Sequence, residues 1–79
     1  MKSLTEAEQN KIYLINEIVG GSFFKKKIEF MGIRPNVEIK KISNITENGP
    51  VIIQILSANC QIAIGNKMAK KIFVTEKNS

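Results

Sequence analysis

The sequence lacks histidine, aspartate and tryptophan, and it contains a single cysteine, Cys60. Without histidine or aspartate, neither a Ser-His-Asp triad nor a Cys-His pair can form, and the scattered glutamates show no pairing for general acid-base catalysis. The four Cys or His ligands of a structural zinc site and the clustered carboxylates that harder cations need are also missing. The residues therefore predict no enzyme, no catalytic residue, and no cofactor or metal site.

Long hydrophobic runs are missing too. The longest run, Val51 to Leu56, is interrupted by Gln54 and is far shorter than the roughly 18 apolar residues of a membrane helix. The first ten residues are polar and do not resemble a secretory signal, so a cytoplasmic location is expected. One thiol cannot form an internal disulfide, which fits that location. Cys60 lies in an apolar segment, where we expect it to be a small buried side chain.

The chain has 79 residues and a formal net charge of +5, from twelve lysines and arginines against seven glutamates. This length corresponds to one domain with a small core. The positive charge is compatible with nucleic acid, with an anionic membrane surface or with an acidic protein partner, and it is equally compatible with a surface that is merely soluble. Charge alone does not choose among these possibilities.

One segment has helical spacing. Phe24, Ile28 and Met31 recur at i, i+4 and i+7, which predicts a short helix with one apolar stripe. Gly32 follows as the expected stop, and Ser22 is the expected N-cap. Because a helix of about nine residues is marginal alone in water, it must lie against the rest of the fold.

The remaining segments alternate in the manner of strands, with a bulge expected at Lys40-Lys41 and a hairpin turn at residues 47–50. They predict a mainly β fold: a small five-stranded barrel with one inserted short α-helix and a helical turn before the last strand. Closing the sheet into a barrel leaves no strand edge unpaired. Residues 1–10 are expected to be a flexible segment, either a frayed end or a helical turn, ahead of a domain over residues 11–76.

Several segments together are similar to the FeoA family. They are IEFMGIRP at Ile28 to Pro35, Gly49-Pro50-Val51, QIAI at Gln61 to Ile64, and AKKIFV at Ala69 to Val74. The resemblance extends from Lys11 to Glu76 and implies an SH3-like barrel. It also implies a non-enzymatic interaction module of bacterial ferrous iron transport. The implied partner is the large membrane ferrous-iron transporter, whose cytosolic part is a G-protein-like domain, and the membrane is reached only through that partner.

The helix carries the expected binding residues: Phe23, Lys26, Lys27 and Phe30, with Arg34 just beyond it. Phe23 and Phe30 lie off the apolar stripe, with Lys27 between them. In one interpretation the apolar arc is wide and both phenylalanines are half-buried at its margin. In the other they form an exposed apolar spot with a basic rim, which binds an acidic surface of the transporter.

Nucleic-acid binding is the alternative function, because small basic barrels often bind RNA or DNA through aromatic side chains on their strands. Here the predicted strands carry only Tyr13 and Phe73 as aromatics, and no stripe of basic residues accompanies them. Nucleic acid is therefore the disfavoured partner. The residues leave weak self-association through an exposed barrel edge open.

Overall fold

The architecture comes from a computed structural model, which describes residues 1–44 and 47–77. A 3-10 turn at Leu4–Glu6 follows the first strand. The strands and helices are β1 (Lys2–Ser3), β2 (Ile12–Ile18), α1 (Ser22–Phe30), β3 (Glu38–Asn44), β4 (Val51–Ile55), β5 (Cys60–Ile64), α2 (Asn66–Ala69) and β6 (Ile72–Glu76). Neither described helix is long and apolar enough to cross a bilayer.

The six strands form one antiparallel sheet in the order β1-β6-β2-β3-β4-β5, which folds into a small SH3-like barrel. The mainly β barrel with one inserted helix is thus confirmed, with a two-residue strand β1 beyond the five that were expected. The predicted hairpin between β3 and β4 is present, although residues 45–46 ahead of its turn lie outside the described residues. Contrary to the expectation that closure hides the edges, β1 and β5 remain as the two ends of the sheet order.

The helix α1 has the predicted stripe facing the barrel. Ile28 is fully buried, while Phe24 and Met31 are half-buried against the core. At its end Gly32 adopts a φ of +88°, and the N–H groups of Gly32 and Ile33 donate to the carbonyls of Glu29 and Ile28. These two bonds form a Schellman motif, which satisfies carbonyls that the helix leaves free. The predicted stop at Gly32 is therefore confirmed.

The start of α1 differs from the prediction by one residue. The N-cap is Gly21, with φ −70° and ψ 167°, and Ser22 is the first residue of the helix. Ahead of it, Gly20 has a φ of +143°, and a Cβ built there would lie 2.7 Å from Cδ2 of Phe24. Only glycine fits this position without strain. A Cβ at Gly21, by contrast, meets nothing within 4 Å.

Serine substitutions at these two glycines are therefore expected to have opposite effects. Gly20→Ser should lower the free energy of unfolding by about 1 to 2 kcal/mol through backbone strain and contact with the Phe24 ring. Gly21→Ser should leave it unchanged or raise it by a few tenths, because serine is a good N-cap residue. Urea denaturation of the two variants measures both values, and equal losses at the two positions would contradict the assigned backbone geometry.

A bulge is present in β3 just after the predicted Lys40-Lys41 pair, and the strand buries a lysine immediately ahead of it. The register against β4 shifts between Lys41 and Ser43. Lys41 is only 2% exposed, and its Nζ donates to the backbone oxygens of Thr5, at 3.1 Å, and Ala7, at 2.7 Å. Burial holds the pKa of Lys41 below the ordinary lysine value. The sequence predicted the bulge at Lys40-Lys41, but it did not predict that one of these lysines points into the fold.

Residues 1–10, expected to form a flexible segment, pack against the barrel in the structure. Lys2 and Ser3 pair with Val74 and Phe73 of β6, and Leu4 is fully buried. The backbone N–H of Asn10 also donates to the carbonyl of Lys41, at 2.7 Å. Of the two possibilities for this segment, the helical turn is the one observed, at Leu4–Glu6. The packed structure therefore begins at residue 2 rather than at residue 11.

Cys60 also differs from the expectation, because its side chain is exposed rather than buried. The alternation of β4 and β5 is as predicted: the inward residues Val51, Ile53 and Ile64 are buried. Cys60 is the first residue of β5, and burial on its face of the strand increases from exposed Cys60 through half-buried Ile62 to fully buried Ile64. Its place at the start of the strand, rather than its apolar neighbours in sequence, accounts for its exposure.

Candidate functional site

Two phenylalanines on α1 are almost fully exposed. Phe23 is 85% exposed and Phe30 is 91% exposed, the two largest values among the large hydrophobic residues that the structure describes. Their neighbour Phe24 is half-buried against the core, and Nζ of Lys71 lies 5.1 Å from the centre of its ring. The interpretation in which Phe23 and Phe30 are half-buried at the margin of the apolar arc is thereby excluded. Neither ring contributes to the core.

The exposed rings and the lysines between them form a straight stripe along the helix. Phe23, Lys26, Lys27 and Phe30 occupy positions i, i+3, i+4 and i+7, so the two rings lie two turns apart on one side of α1. At 1.5 Å per residue, the separation along the axis is about 10 Å. This stripe is distinct from the one formed by the buried residue Ile28, and α1 is therefore apolar on two sides.

All five predicted binding residues line two adjoining hollows on this side of the molecule. One hollow, of about 330 Å³, is lined by Phe23, Lys26, Lys27 and Phe30. The other, of about 370 Å³, is lined by Lys26, Glu29, Phe30 and Arg34. Lys26 and Phe30 border both hollows. We call the surface formed by Phe23, Lys26, Lys27, Phe30 and Arg34 the aromatic-basic face.

The turn after α1 fixes the position of Arg34. The carbonyl of Arg34 accepts a hydrogen bond from the N–H of Val37, at 3.2 Å, and Asn36 has a φ of +72°. With proline at position 35, this is the geometry of a type II turn. The N–H of Asn36 donates to the carbonyl of Ile15 in β2, at 2.7 Å, and joins the turn to the sheet. Asparagine adopts this positive φ at a small cost.

Glu29 is the residue of this face that sequence reasoning did not include. It lines the second hollow beside Arg34 and Phe30 and is the only acidic residue among those that line the two hollows described above. Its place follows from the helical repeat, since it lies three residues after Lys26. The face therefore offers two aromatic rings and three cationic groups, with one carboxylate at its border. Such a surface can bury apolar groups and donate charged hydrogen bonds to carboxylates.

The aromatic residues of the strands are not available for stacking. Tyr13 is fully buried, and its hydroxyl oxygen accepts a hydrogen bond from the backbone N–H of Glu8, at 2.8 Å. Phe73 is half-buried in β6. An oligonucleotide that stacks on strand aromatics would need exposed rings there. The structure gives the nucleic-acid alternative no such platform.

Within residues 1–44 and 47–77, no three Cys or Glu side chains come together in a group that could hold a metal ion. Apolar area is concentrated on the aromatic-basic face, and it lies among cationic groups. This is the composition expected of a surface that binds another macromolecule.

The fold defines a small SH3-like barrel domain, and comparison with known proteins identifies its family. A sequence model of the FeoA domain matches residues 2–76, nearly the whole chain. The chain belongs to the FeoA domain family, which is associated with ferrous iron transport. The family resemblance seen in the sequence is thereby confirmed. A search of curated proteins found no match.

Solved structures agree with this assignment. The iron uptake regulatory protein FeoA is 25% identical, with a TM-score of 0.83 and 96% of each chain covered. The FeoA-like protein from Clostridium acetobutylicum is 23% identical, with a TM-score of 0.82 over 99% of this chain and 88% of the other. The manganese regulator SloR is 16% identical, with a TM-score of 0.83 over 96% of this chain and 34% of the regulator. The same fold thus also occurs as one third of a larger regulator.

Proposed function

We propose that this protein is a non-enzymatic interaction module of bacterial ferrous iron uptake. It acts in the cytoplasm, where it binds and modulates the cytosolic G-protein-like part of the membrane ferrous-iron transporter. The aromatic-basic face is its binding surface. Membership of the FeoA domain family supports the link to iron transport, and the similarity to the iron uptake regulatory protein FeoA supports a regulatory role.

The exposure of Phe23 and Phe30 is the observation that carries the proposal. Two phenylalanines that are 85% and 91% exposed leave a large apolar area in water on a domain of only 79 residues. Burying apolar surface is worth about 25 cal/mol per Å², and an aromatic side chain can bury about 150 Å² or more. Exposed aromatic residues that are surrounded by polar groups are typical hot spots of protein interfaces. The barrel does not need these rings, so their apolar surface is available to a partner.

The charges around the rings indicate the kind of surface that binds there. Lys26, Lys27 and Arg34 line the hollows, and the chain as a whole carries a net charge of +5. A basic rim favours an acidic partner and speeds its association at low ionic strength. We therefore expect the transporter's domain to present an apolar group flanked by carboxylates.

A titration against the purified cytosolic domain of the transporter tests the proposal. The double substitution Phe23→Ser/Phe30→Ser is expected to weaken binding at least about tenfold, which corresponds to about 1.4 kcal/mol. It should leave the unfolding midpoint nearly unchanged, because neither ring packs in the core. Val19→Ser is the matched control, since Val19 is 47% exposed and does not line either hollow.

Unchanged affinity of the double variant would refute the aromatic-basic face as the binding surface. A parallel titration with single-stranded RNA over a salt series separates the alternative function. Nucleic-acid binding predicts an affinity that falls steeply with salt, because counterions are released from the phosphates. Tight RNA binding together with no binding to the transporter's domain would replace the proposal.

A further inference from the structure

The two edges of the sheet are protected to very different degrees. The edge strand β1 has only two residues, one of which is lysine, and the backbone N–H of Ser3 donates to Oε1 of Glu6, at 3.2 Å. Short length, charge and capping are ways in which proteins prevent an edge from pairing with another chain. This edge is therefore unsuited to accept a further strand.

The opposite edge, β5, has none of these features. Its five residues, Cys60–Ile64, contain no charge and no proline, and the side chains of Cys60, Gln61 and Ala63 are exposed. Among the described residues, the backbone groups of this strand form ladder hydrogen bonds only with β4, and the one other contact to them runs within the strand, from Sγ of Cys60 to the carbonyl of Gln61, at 3.8 Å. The outer side of β5 is thus the edge of an uncharged strand whose N–H and C=O groups have no partner strand among the described residues.

We propose that β5 pairs with β5 of a second copy of this chain to form a two-fold symmetric dimer. The net charge of +5 opposes contact between copies at lysine-rich surfaces such as the aromatic-basic face. At β5 no charged side chain opposes another. Because β1 cannot act as the receiving edge, pairing of β5 with β1 into an open chain of molecules is excluded. The contact instead uses β5 on both copies, so the assembly ends at two molecules.

Full overlap of the two strands sets the register of the pairing. In an antiparallel pair related by a two-fold axis, all five residues are matched only when the axis passes beside Ile62. Gln61 of one copy then lies opposite Ala63 of the other, on the outer face of the sheet. Cys60 lies opposite Ile64, so the two Cys60 thiols are too far apart to form a disulfide. A strand pair of this size buries less than the about 1,000 Å² of a stable interface, and the dimer is therefore weak and dependent on concentration.

Sedimentation of the full chain over a range of concentrations measures the dimer. The parent protein is expected to dimerise reversibly. Ala63→Lys should lower the association constant at least about tenfold, because a lysine on an edge strand opposes pairing. Thr75→Lys on β6, which adds the same charge at another exposed strand position, should lower it far less. A parent protein that stays monomeric, or equal effects of the two substitutions, would overturn the proposal.

Cross-linking tests the register directly. In a Cys60→Ser background, the combined variant Gln61→Cys/Ala63→Cys places introduced thiols opposite each other, and mild oxidation should give a covalent dimer rapidly. The variants Gln61→Cys and Ala63→Cys alone place their thiols two residues out of register, and they should cross-link much more slowly. Equal rates in all three variants would overturn the two-fold pairing.

This proposal does not depend on the proposed binding to the transporter. Phe23→Ser/Phe30→Ser should dimerise like the parent, because the aromatic-basic face is not part of the β5 contact. Loss of the dimer in that variant would instead assign self-association to α1. The two surfaces therefore give separable results in one set of variants.

Discussion

Replacing Ile28 with alanine is expected to lower the free energy of unfolding by about 2 to 5 kcal/mol, the range measured for such truncations in packed cores. Ile28 is fully buried and is the only buried residue of α1. Its carbonyl also accepts a hydrogen bond from the N–H of Ile33 in the Schellman motif, and the side chains of Ile28 and Ile33 belong to the same core. The whole free energy of unfolding of a domain of this size is not much larger than such a loss.

Denaturation in urea, followed by circular dichroism, measures the effect. Phe23→Ala and Phe30→Ala on the same helix are the controls, and each is expected to change the free energy of unfolding by less than about 0.5 kcal/mol. The contrast separates the two apolar sides of α1: one holds the helix on the barrel, and the other is available to a partner. A comparable loss of stability in the phenylalanine variants would show that their exposed rings have a structural role.

Replacing Lys41 with methionine is expected to release the N-terminal segment from the barrel. Methionine keeps most of the volume but cannot donate to the carbonyls of Thr5 and Ala7. Hydrogen bonds from charged donors contribute about 1.5 to 3 kcal/mol each, and removing the burial cost of the charge offsets part of the loss. We therefore expect a net loss of about 2 to 3 kcal/mol. Amide hydrogen exchange should accelerate over residues 2–7. Lys40→Met, on the other side of the same strand, is the control, and it should change neither the free energy of unfolding nor the rate of amide exchange over residues 2–7.

The stability of this contact also depends on pH, and the sign follows from the pKa of Lys41. Burial lowers that pKa in the folded protein below its ordinary value of 10.5, so the unfolded chain binds more protons in the window just below 10.5. The free energy of unfolding therefore rises with pH in that window. The neutral amine keeps two N–H groups, which suffice for its two carbonyl partners. The difference in stability between the parent and Lys41→Met should accordingly widen as the pH approaches 10.5.

Local rules predicted the parts of this fold that depend on neighbours in sequence. The i, i+4, i+7 spacing predicted α1 and its buried stripe, and Gly32 predicted its end. Each of these features depends on a side-chain period or on a φ angle that few residues adopt. For the same reason, the stripe of Phe23 and Phe30 could be located from the sequence, although only the structure decides how exposed it is.

The features that the sequence did not predict depend on contacts between distant segments. Lys41 is buried because it lies on the inward face of β3 with Ile39, opposite Ile53, and because the carbonyls of residues 5 and 7 accept hydrogen bonds from its Nζ. These partners lie more than 30 positions away in the chain. Cys60 is exposed because it lies at the start of β5, on a face of the strand that is fully buried only at Ile64. Residues 2–4 are too few to show a hydrophobic period, and their packing against β6 therefore gives no signal in the sequence.

The pairing of β1 with β6 brings the first described residues close to the last described strand. Lys2 lies opposite Val74, so the first strand and the last run side by side in opposite directions. A short linker could therefore join the ends, and new ends could be opened at the turn over residues 57–59, between β4 and β5. Such a circular permutant would keep every strand pairing and would order the strands differently along the chain. It would leave α1 inside an unbroken segment from β2 to β4, a practical format for presenting the aromatic-basic face in binding experiments.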